Sequence, residues 1–178
     1  MLQSVTEALD TTPDQLNNRV KNLIEDAQQH SAAAQRLREA VALAPAARSA
    51  CVVVKDDNDQ ECHFWVDQLP ASLERDAKLV RSRATHLLKT HGDTLHVVTA
   101  GATVACAGSL PGTISEGEGT EALDARFLMR HVTKHFGGKG GGSPTVTSGR
   151  LDGADPPAAA AIASAFEGIK LSLNSDTQ

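Results

Sequence analysis

A run of glycines near the C-terminal end constrains the fold of this chain more than any other segment. Residues 137–142 contain five glycines and one lysine, and Ser143 and Pro144 follow them. Glycine loses more conformational entropy on folding than any other residue, so such a cluster indicates tight turns or close approach of its backbone to another chain. The alternative interpretation is a plain flexible loop.

The position of the glycines argues against two common nucleotide-binding motifs. An apolar stripe through residues 125–136 predicts a helix that stops at Gly137, so the glycines follow a helix. A phosphate-binding loop or a dinucleotide fingerprint needs a strand, then glycines, then the N-terminus of a helix. No Gly-Lys-Ser/Thr closes the run either. We therefore expect no nucleotide binding by these routes.

Two stretches around the glycines carry a family resemblance. Residues 135–144 read His-Phe-Gly-Gly-Lys-Gly-Gly-Gly-Ser-Pro, and after Asp155 an alanine-rich helix ends at residues 164–171 with Ser-Ala-Phe-Glu-Gly-Ile-Lys-Leu. This pattern resembles the end of alanyl-tRNA synthetases over roughly residues 50–172. The Gly-Gly-Lys-Gly-Gly-Gly phrase is its specific part. The last stretch looks more like the eukaryotic branch of the family than the bacterial one. Ser143 and Thr145 stand where bacterial members often have a basic and an acidic residue.

The resemblance implies a function in tRNA recognition. In the family this region is a C-terminal domain related to the DHH-associated domain, which contacts the outer corner of the tRNA and contributes to oligomerisation. The expected partner is tRNA-Ala, bound in aid of aminoacylation and editing by a parent alanine–tRNA ligase. The resemblance and the local cations predict RNA contacts at Lys134, Gly137, Gly138, Lys139, Gly140, Gly141, Gly142 and Arg150.

Composition limits how this chain would contact a nucleic acid. The formal net charge of -5 argues against dominant nonspecific phosphate binding, so any nucleic-acid surface must be local. The chain has four phenylalanines, one tryptophan and no tyrosine, too few for an extensive stacking platform. We therefore expect contacts mainly to the RNA backbone. DNA is a second candidate nucleic acid.

The N-terminal part, residues 1–48, predicts a long helical arm. Thr12 and the Pro-Asp-Gln that follows it suit a helix start, and residues 2–9 could form a short preceding turn. From residue 13 to 44 such a helix would be about 48 Å long. Alternating steps of four and three residues give a heptad seam formed by Leu16, Val20, Leu23, Ala27, His30, Ala34, Leu37, Val41 and Ala44. This seam predicts a homodimer through the arm; the alternative is an amphipathic helix laid on its own domain.

Residues 49–174 predict a small α/β globular domain. Apolar and β-branched runs indicate strands at residues 50–55, 62–66, 95–99 and 103–107, with a short strand near 145–148. A helix of roughly 18 residues begins at Leu73, and a last helix follows Asp155. Glycines and glutamates predict a mobile loop at residues 109–120. The predicted fold class is α/β, a helical arm followed by this domain.

Two side-chain clusters each allow two interpretations. His131 and His135 stand four apart on a predicted helix and could reach one metal ion, but zinc needs further ligands, so we expect no metal. The alternative interpretation is that both histidines are polar residues near the end of a helix, where a partly protonated imidazole suits the helix dipole. A second helix carries a cluster of basic residues, which is either a solvated surface or a strip that follows an RNA backbone: Arg75, Lys78, Arg81, Arg83, His86 and Lys89.

Other functions find less support in the sequence. The class II catalytic and editing motifs of the family do not occur in these 178 residues, so we expect no catalysis by this chain alone and no cofactor. Three widely spaced cysteines suit a reducing compartment, and no apolar stretch approaches 20 residues, so we expect a cytoplasmic protein without a membrane span. The main alternative function is an oligomerisation or protein-interaction module acting through the arm. A third is an inactive relative of the phosphoesterase-associated domain.

Overall fold

A long helix precedes a sheet-rich domain in the computed structural model, which describes residues 12, 15–44, 48–56, 58–92, 94–116, 119–153 and 155–173. The chain divides at Val41 and Ala42 into a helical unit and a larger unit that contains the sheets. The predicted mixed α/β class, with a long N-terminal helix before the sheets, is confirmed. The helices are α1 (Leu16–Leu43), α2 (Ala77–Thr90), α3 (Ala125–Phe136) and α4 (Ala159–Ser164). The strands are β1 (Arg48–Lys55), β2 (Glu61–Leu69), β3 (Leu95–Ala100), β4 (Thr103–Ala107), β5 (Ser109–Glu116), β6 (Gly119–Asp124), β7 (Lys139–Gly142), β8 (Val146–Arg150) and β9 (Lys170–Leu173).

The helix α1 contains 28 residues and is about 42 Å long at 1.5 Å per residue. It begins at Leu16, later than predicted, after a turn in which the Gln15 N–H donates to the Thr12 carbonyl at 3.0 Å. Pro13 and the predicted short turn at residues 2–9 lie outside the described residues. Every side chain from residue 17 to 40 is exposed within this chain. None of the described helices is long and apolar enough to cross a membrane.

The larger sheet has six strands in the order β1-β2-β3-β4-β8-β7. Only β2 and β3 run parallel among these described strands, and parallel neighbours need a crossover connection, which α2 provides. The helix α2 begins at Ala77 rather than at the predicted Leu73. The Asp76 side chain caps it by accepting from the Leu79 N–H at 3.2 Å, and a separate 3₁₀ turn occupies Ala71–Leu73.

A second sheet has three strands in the order β6-β5-β9, and β5 and the start of β6 lie in the segment predicted as a mobile loop. That prediction is wrong for residues 109–116 and 119–120, because β5 and β6 form an antiparallel pair; residues 117 and 118 lie outside the described residues. Ile114 of β5 and Leu123 of β6 are fully buried, and Leu171 of β9 is nearly so. Burial of these widely spaced apolar residues outweighs the loop-like glycine and glutamate content around them.

The two faces of the six-stranded sheet each pack a hydrophobic core. Side chains of α3, α4 and the three-stranded sheet cover one face, where the rings of Phe64 and Phe166 stack with centroids 5.0 Å apart. The helix α2 covers the other face with Leu79, Val80 and Ala84. Since successive residues of a strand point to opposite faces, both cores draw on the same central strands.

The helix α3 has the predicted bounds, Ala125–Phe136. The Asp124 side chain begins it by accepting from the backbone N–H groups of Arg126 and Phe127 at 2.8 and 3.0 Å. Gly137 ends it in the left-handed region, with φ of 74°. This helix lies over β7 and β8 and therefore fixes the position of the glycine-rich segment.

Candidate nucleic-acid interface

The glycine-rich segment forms a strand instead of a flexible loop. Residues 139–142 make up β7, which pairs antiparallel with β8 over four residues, from Lys139 opposite Arg150 to Gly142 opposite Thr147. The strand lies at one end of the six-stranded sheet, and no described strand pairs with its other side. An edge strand of this kind presents alternate backbone N–H and C=O groups to whatever approaches it.

The two faces of β7 have different surroundings. A Cβ atom at Gly140 would collide with the Met129 side chain of α3 and would lie 3.1 Å from the Gly149 Cα across the strand pair. At Gly138, whose φ is 111°, a Cβ atom would collide with the Arg150 carbonyl oxygen. Gly141 points to the opposite face and has no atom within 4 Å of its Cβ position. The fold therefore requires glycine at Gly138 and Gly140 but leaves space at Gly141.

Sequence reasoning missed Gly149, the partner of Gly140 across the strand pair. A Cβ atom at Gly149 would lie 2.7 Å from the Gly140 Cα, so the two backbones can approach this closely only when both residues are glycine. The predicted short strand at residues 145–148 ended one residue before Gly149, whereas the observed strand extends to Arg150 and has this glycine inside it. A glycine inside a strand commonly marks close backbone contact.

The predicted RNA-contacting cations occupy three different settings. Lys139 is exposed on β7 and, by strand alternation, shares the face of Gly141. Arg150 is its cross-strand neighbour, but the Arg150 Nη2 atom donates to the Glu74 Oε1 atom at 2.6 Å, so part of its charge is neutralised. Lys134 is exposed in the last turn of α3. Lys139 is thus the predicted cation best placed to meet an anion at β7.

The basic cluster on α2 separates into a buried residue and an exposed face. Arg83 is only 6% exposed and forms an ion pair with Asp67, with Nη2 and Oδ2 2.7 Å apart, so it takes no part in a surface strip. Lys78, Arg81 and Lys89 line a shallow groove of about 510 Å³ on the outer side of α2. Within the described part of the chain no carboxylate forms an ion pair with these three.

The histidine pair of α3 is engaged in the packing of the helix. His131 is 4% exposed, and its Nε2 atom lies 2.7 Å from the Ala165 carbonyl oxygen, which can only accept, so Nε2 carries the proton. The His135 Nδ1 atom likewise donates to the His131 carbonyl oxygen at 3.0 Å. Across the described residues, no group of three His, Cys, Asp or Glu could hold a metal ion.

Comparison with known proteins adds no family to this geometry. Neither models of known protein families nor curated proteins gave a match to the sequence. The described surface combines an unshielded glycine strand with exposed cations, an arrangement that can accept phosphate groups through backbone N–H donors and lysine side chains.

Proposed function

We propose that this chain is the tRNA-binding C-terminal region of an alanine–tRNA ligase and that it contacts the RNA backbone through β7. The observation that carries the proposal is the open side of β7, where no atom lies within 4 Å of the Cβ position of Gly141 and Lys139 is exposed. Phosphate oxygens need close access to N–H donors and to a cation, and a side chain at Gly141 would restrict that access. The resemblance of residues 135–144 to the family supplies tRNA as the ligand.

The basic face of α2 supports the same function as a secondary contact. Arg150 joins this helix region to the glycine strand, because it is the cross-strand partner of Lys139 and bonds to Glu74 just before α2. Lys78, Arg81 and Lys89 have no ion-pair partner among the described residues, so their charge is available to phosphates. Local cations of this kind can bind RNA even though the net charge of the chain is -5.

A binding assay across a salt series tests the proposal. The wild-type chain should bind tRNA-Ala more tightly than duplex DNA in a gel-shift comparison at two salt concentrations, with an unrelated tRNA as a third ligand. Gly141→Val should weaken tRNA binding at least severalfold while circular dichroism shows an intact fold. Equal binding of tRNA and duplex DNA would refute tRNA recognition, and unchanged affinity in Gly141→Val would refute contact through β7.

The lysine of β7 allows a second, electrostatic test. Lys139→Ala should weaken binding about fivefold and reduce the slope of log affinity against log salt by up to about one unit, because one phosphate contact releases about one counterion. Discrimination among tRNAs should change little, since phosphate contacts do not read bases. Lys170→Ala, at an exposed position of β9, is the matched control. If both variants behave alike, Lys139 is merely solvated.

Exposed apolar residues on α1 favour a second candidate function, self-association of the arm. Val20, Leu23 and Leu37 are 37%, 40% and 68% exposed within the chain, and all three belong to the heptad seam. We propose that a second copy of this chain covers the seam. Leu23→Asp should shift the species seen in sedimentation to a smaller one, because burying a charge in an apolar seam is costly. Gln28→Asp, off the seam, is the control; a monomeric wild type would refute this candidate.

A further inference from the structure

Strand β1 forms the end of the larger sheet opposite to β7, and among the described strands it pairs only with β2. The hairpin of β1 and β2 begins where the Asp56 N–H donates to the Gln60 carbonyl oxygen at 3.0 Å. Hydrogen-bonded and non-bonded pairs alternate along antiparallel strands, and the register of residues 48–55 with β2 has no bulge. The even-numbered residues of β1 therefore bond to β2, and the odd-numbered residues direct their N–H and C=O groups outward.

The outward backbone groups of β1 are accessible over most of the strand. Ser49, Cys51 and Val53 are exposed, and no backbone hydrogen bond from another described segment reaches them. The edge is closed only beyond them, where Asp56 forms an isolated parallel bridge with Leu171 of β9. Alternate N–H and C=O groups along an edge are satisfied together by another extended strand, so the edge selects a strand as its partner.

The side chains beside this edge are apolar and uncovered. The helix α2 packs on β3, β4 and β8, and a cavity of about 320 Å³ lies between β2 and α2, with Trp65 and His96 in its lining. Val53 is 46% and Trp65 is 40% exposed, and Cys51 stands directly opposite Trp65. Natural proteins protect exposed edges with prolines, bulges or charges, and residues 49–54 contain none of these.

We propose that β1 of a second copy of this chain pairs antiparallel with this edge, about a two-fold axis at Val52. This register places Cys51 of each copy opposite Val53 of the other, so the outward groups of both residues form hydrogen-bonded pairs and apolar side chains meet. An axis at Cys51 or at Val53 would instead place an apolar side chain opposite a serine or a lysine. A two-fold pairing covers both edges at once and ends there.

Sedimentation in a background without the α1 seam tests the proposal. Leu23→Asp disrupts that seam, and the variant should still dimerise through β1 between micromolar and millimolar concentration. Adding Val53→Pro should weaken the dimer at least about tenfold, because each copy loses one outward N–H donor, while the bonds to β2 remain. Adding Val53→Thr keeps this N–H and the β-branched shape, so this matched control should weaken the dimer by less than about threefold.

Amide hydrogen exchange decides the same point if Val53→Pro does not fold. In Leu23→Asp, the amides of Cys51 and Val53 should exchange rapidly in dilute solution and become protected as the dimer forms. The amide of Val52 bonds to β2 and should be protected at every concentration, so it is the internal control.

Three results would overturn the proposal. They are a Leu23→Asp variant that stays monomeric at millimolar concentration, equal effects of Val53→Pro and Val53→Thr, and a dimer in which the amides of Cys51 and Val53 stay unprotected. Species larger than a dimer in the Leu23→Asp background would overturn the two-fold pairing. Gly141→Val should leave this dimer unchanged, because its Cβ position lies on β7, so the outcome is independent of the tRNA proposal.

Discussion

Mild acid should destabilise the folded protein through His96. Burial is the main cause that lowers the pKa of His96 from 6.5 to about 4. The charges of His91 and Arg83 lower this pKa further, while the nearby His91 backbone and the charge of Asp67 oppose the shift. In the folded protein the imidazole stays neutral until the pH approaches 4. In the unfolded chain it takes up a proton below 6.5, so the unfolded state binds more protons between these values.

The size of the effect follows from the shift. Stability is lost as the pH falls from 6.5 towards 4, and the full loss is about 3 kcal/mol, at about 1.4 kcal/mol per pKa unit. At pH 5 the loss relative to pH 7 is already about 2 kcal/mol, while most carboxylates are still ionised.

Urea unfolding followed by circular dichroism at pH 7, 6 and 5 measures this loss. The comparison is between wild type and His96→Phe, whose ring cannot titrate. The difference between their free energies of unfolding should change by about 2 kcal/mol from pH 7 to pH 5. His86→Phe, at an exposed histidine, should keep the strong pH dependence of the wild type. Free energies of wild type and His96→Phe that fall in parallel would refute the reasoning.

Two further predictions concern stability. Gly140→Val should lower the free energy of unfolding by about 2 kcal/mol or more, because the new side chain must displace Met129. Gly141→Val should change it by less than about 1 kcal/mol, because the Cβ position of Gly141 is open. Similar losses in both variants, measured by urea unfolding, would contradict the difference between the two faces of β7. Asp67→Ala should lower the free energy of unfolding by about 3–5 kcal/mol, because it leaves the buried Arg83 charge unpaired. Adding Arg83→Met should restore much of the lost melting temperature. A double variant no more stable than Asp67→Ala would refute this account.

Sequence reasoning succeeded where local signals agreed and missed structure that depends on distant partners. The helix α3 carries an apolar stripe, a capping Asp124 and a terminating Gly137, so its bounds follow from local rules. The sequence predicted turns or a contact surface for the glycine segment. Its observed strand conformation depends on pairing with β8, which no local signal reveals. The sequence predicted Arg83 to be one of several basic residues on a helix surface. No local signal shows that Asp67, on strand β2, forms a buried ion pair with it.

The cavity at His96 was beyond prediction for the same reason. It combines residues from β2, α2 and β3, among them the buried ion pair of Asp67 with Arg83. A sequence shows neither which face a histidine occupies nor which of its nitrogen atoms has a partner. The exposed Trp65 gave the only hint, since a lone tryptophan in an aromatic-poor chain is conspicuous.

Strand β4 pairs with β8 although about forty residues separate Ala107 from its partner Val146. The hairpin of β3 and β4 closes through a short turn, but the β4–β8 pairing must close a long loop, at an entropic cost of about 3 kcal/mol beyond a constant. We therefore expect this pairing to limit the folding rate, which should lie in the millisecond-to-second range of proteins rich in nonlocal contacts. Strand β7 can join only after β8 is in place, so substitutions there should accelerate unfolding and leave the rate of folding nearly unchanged.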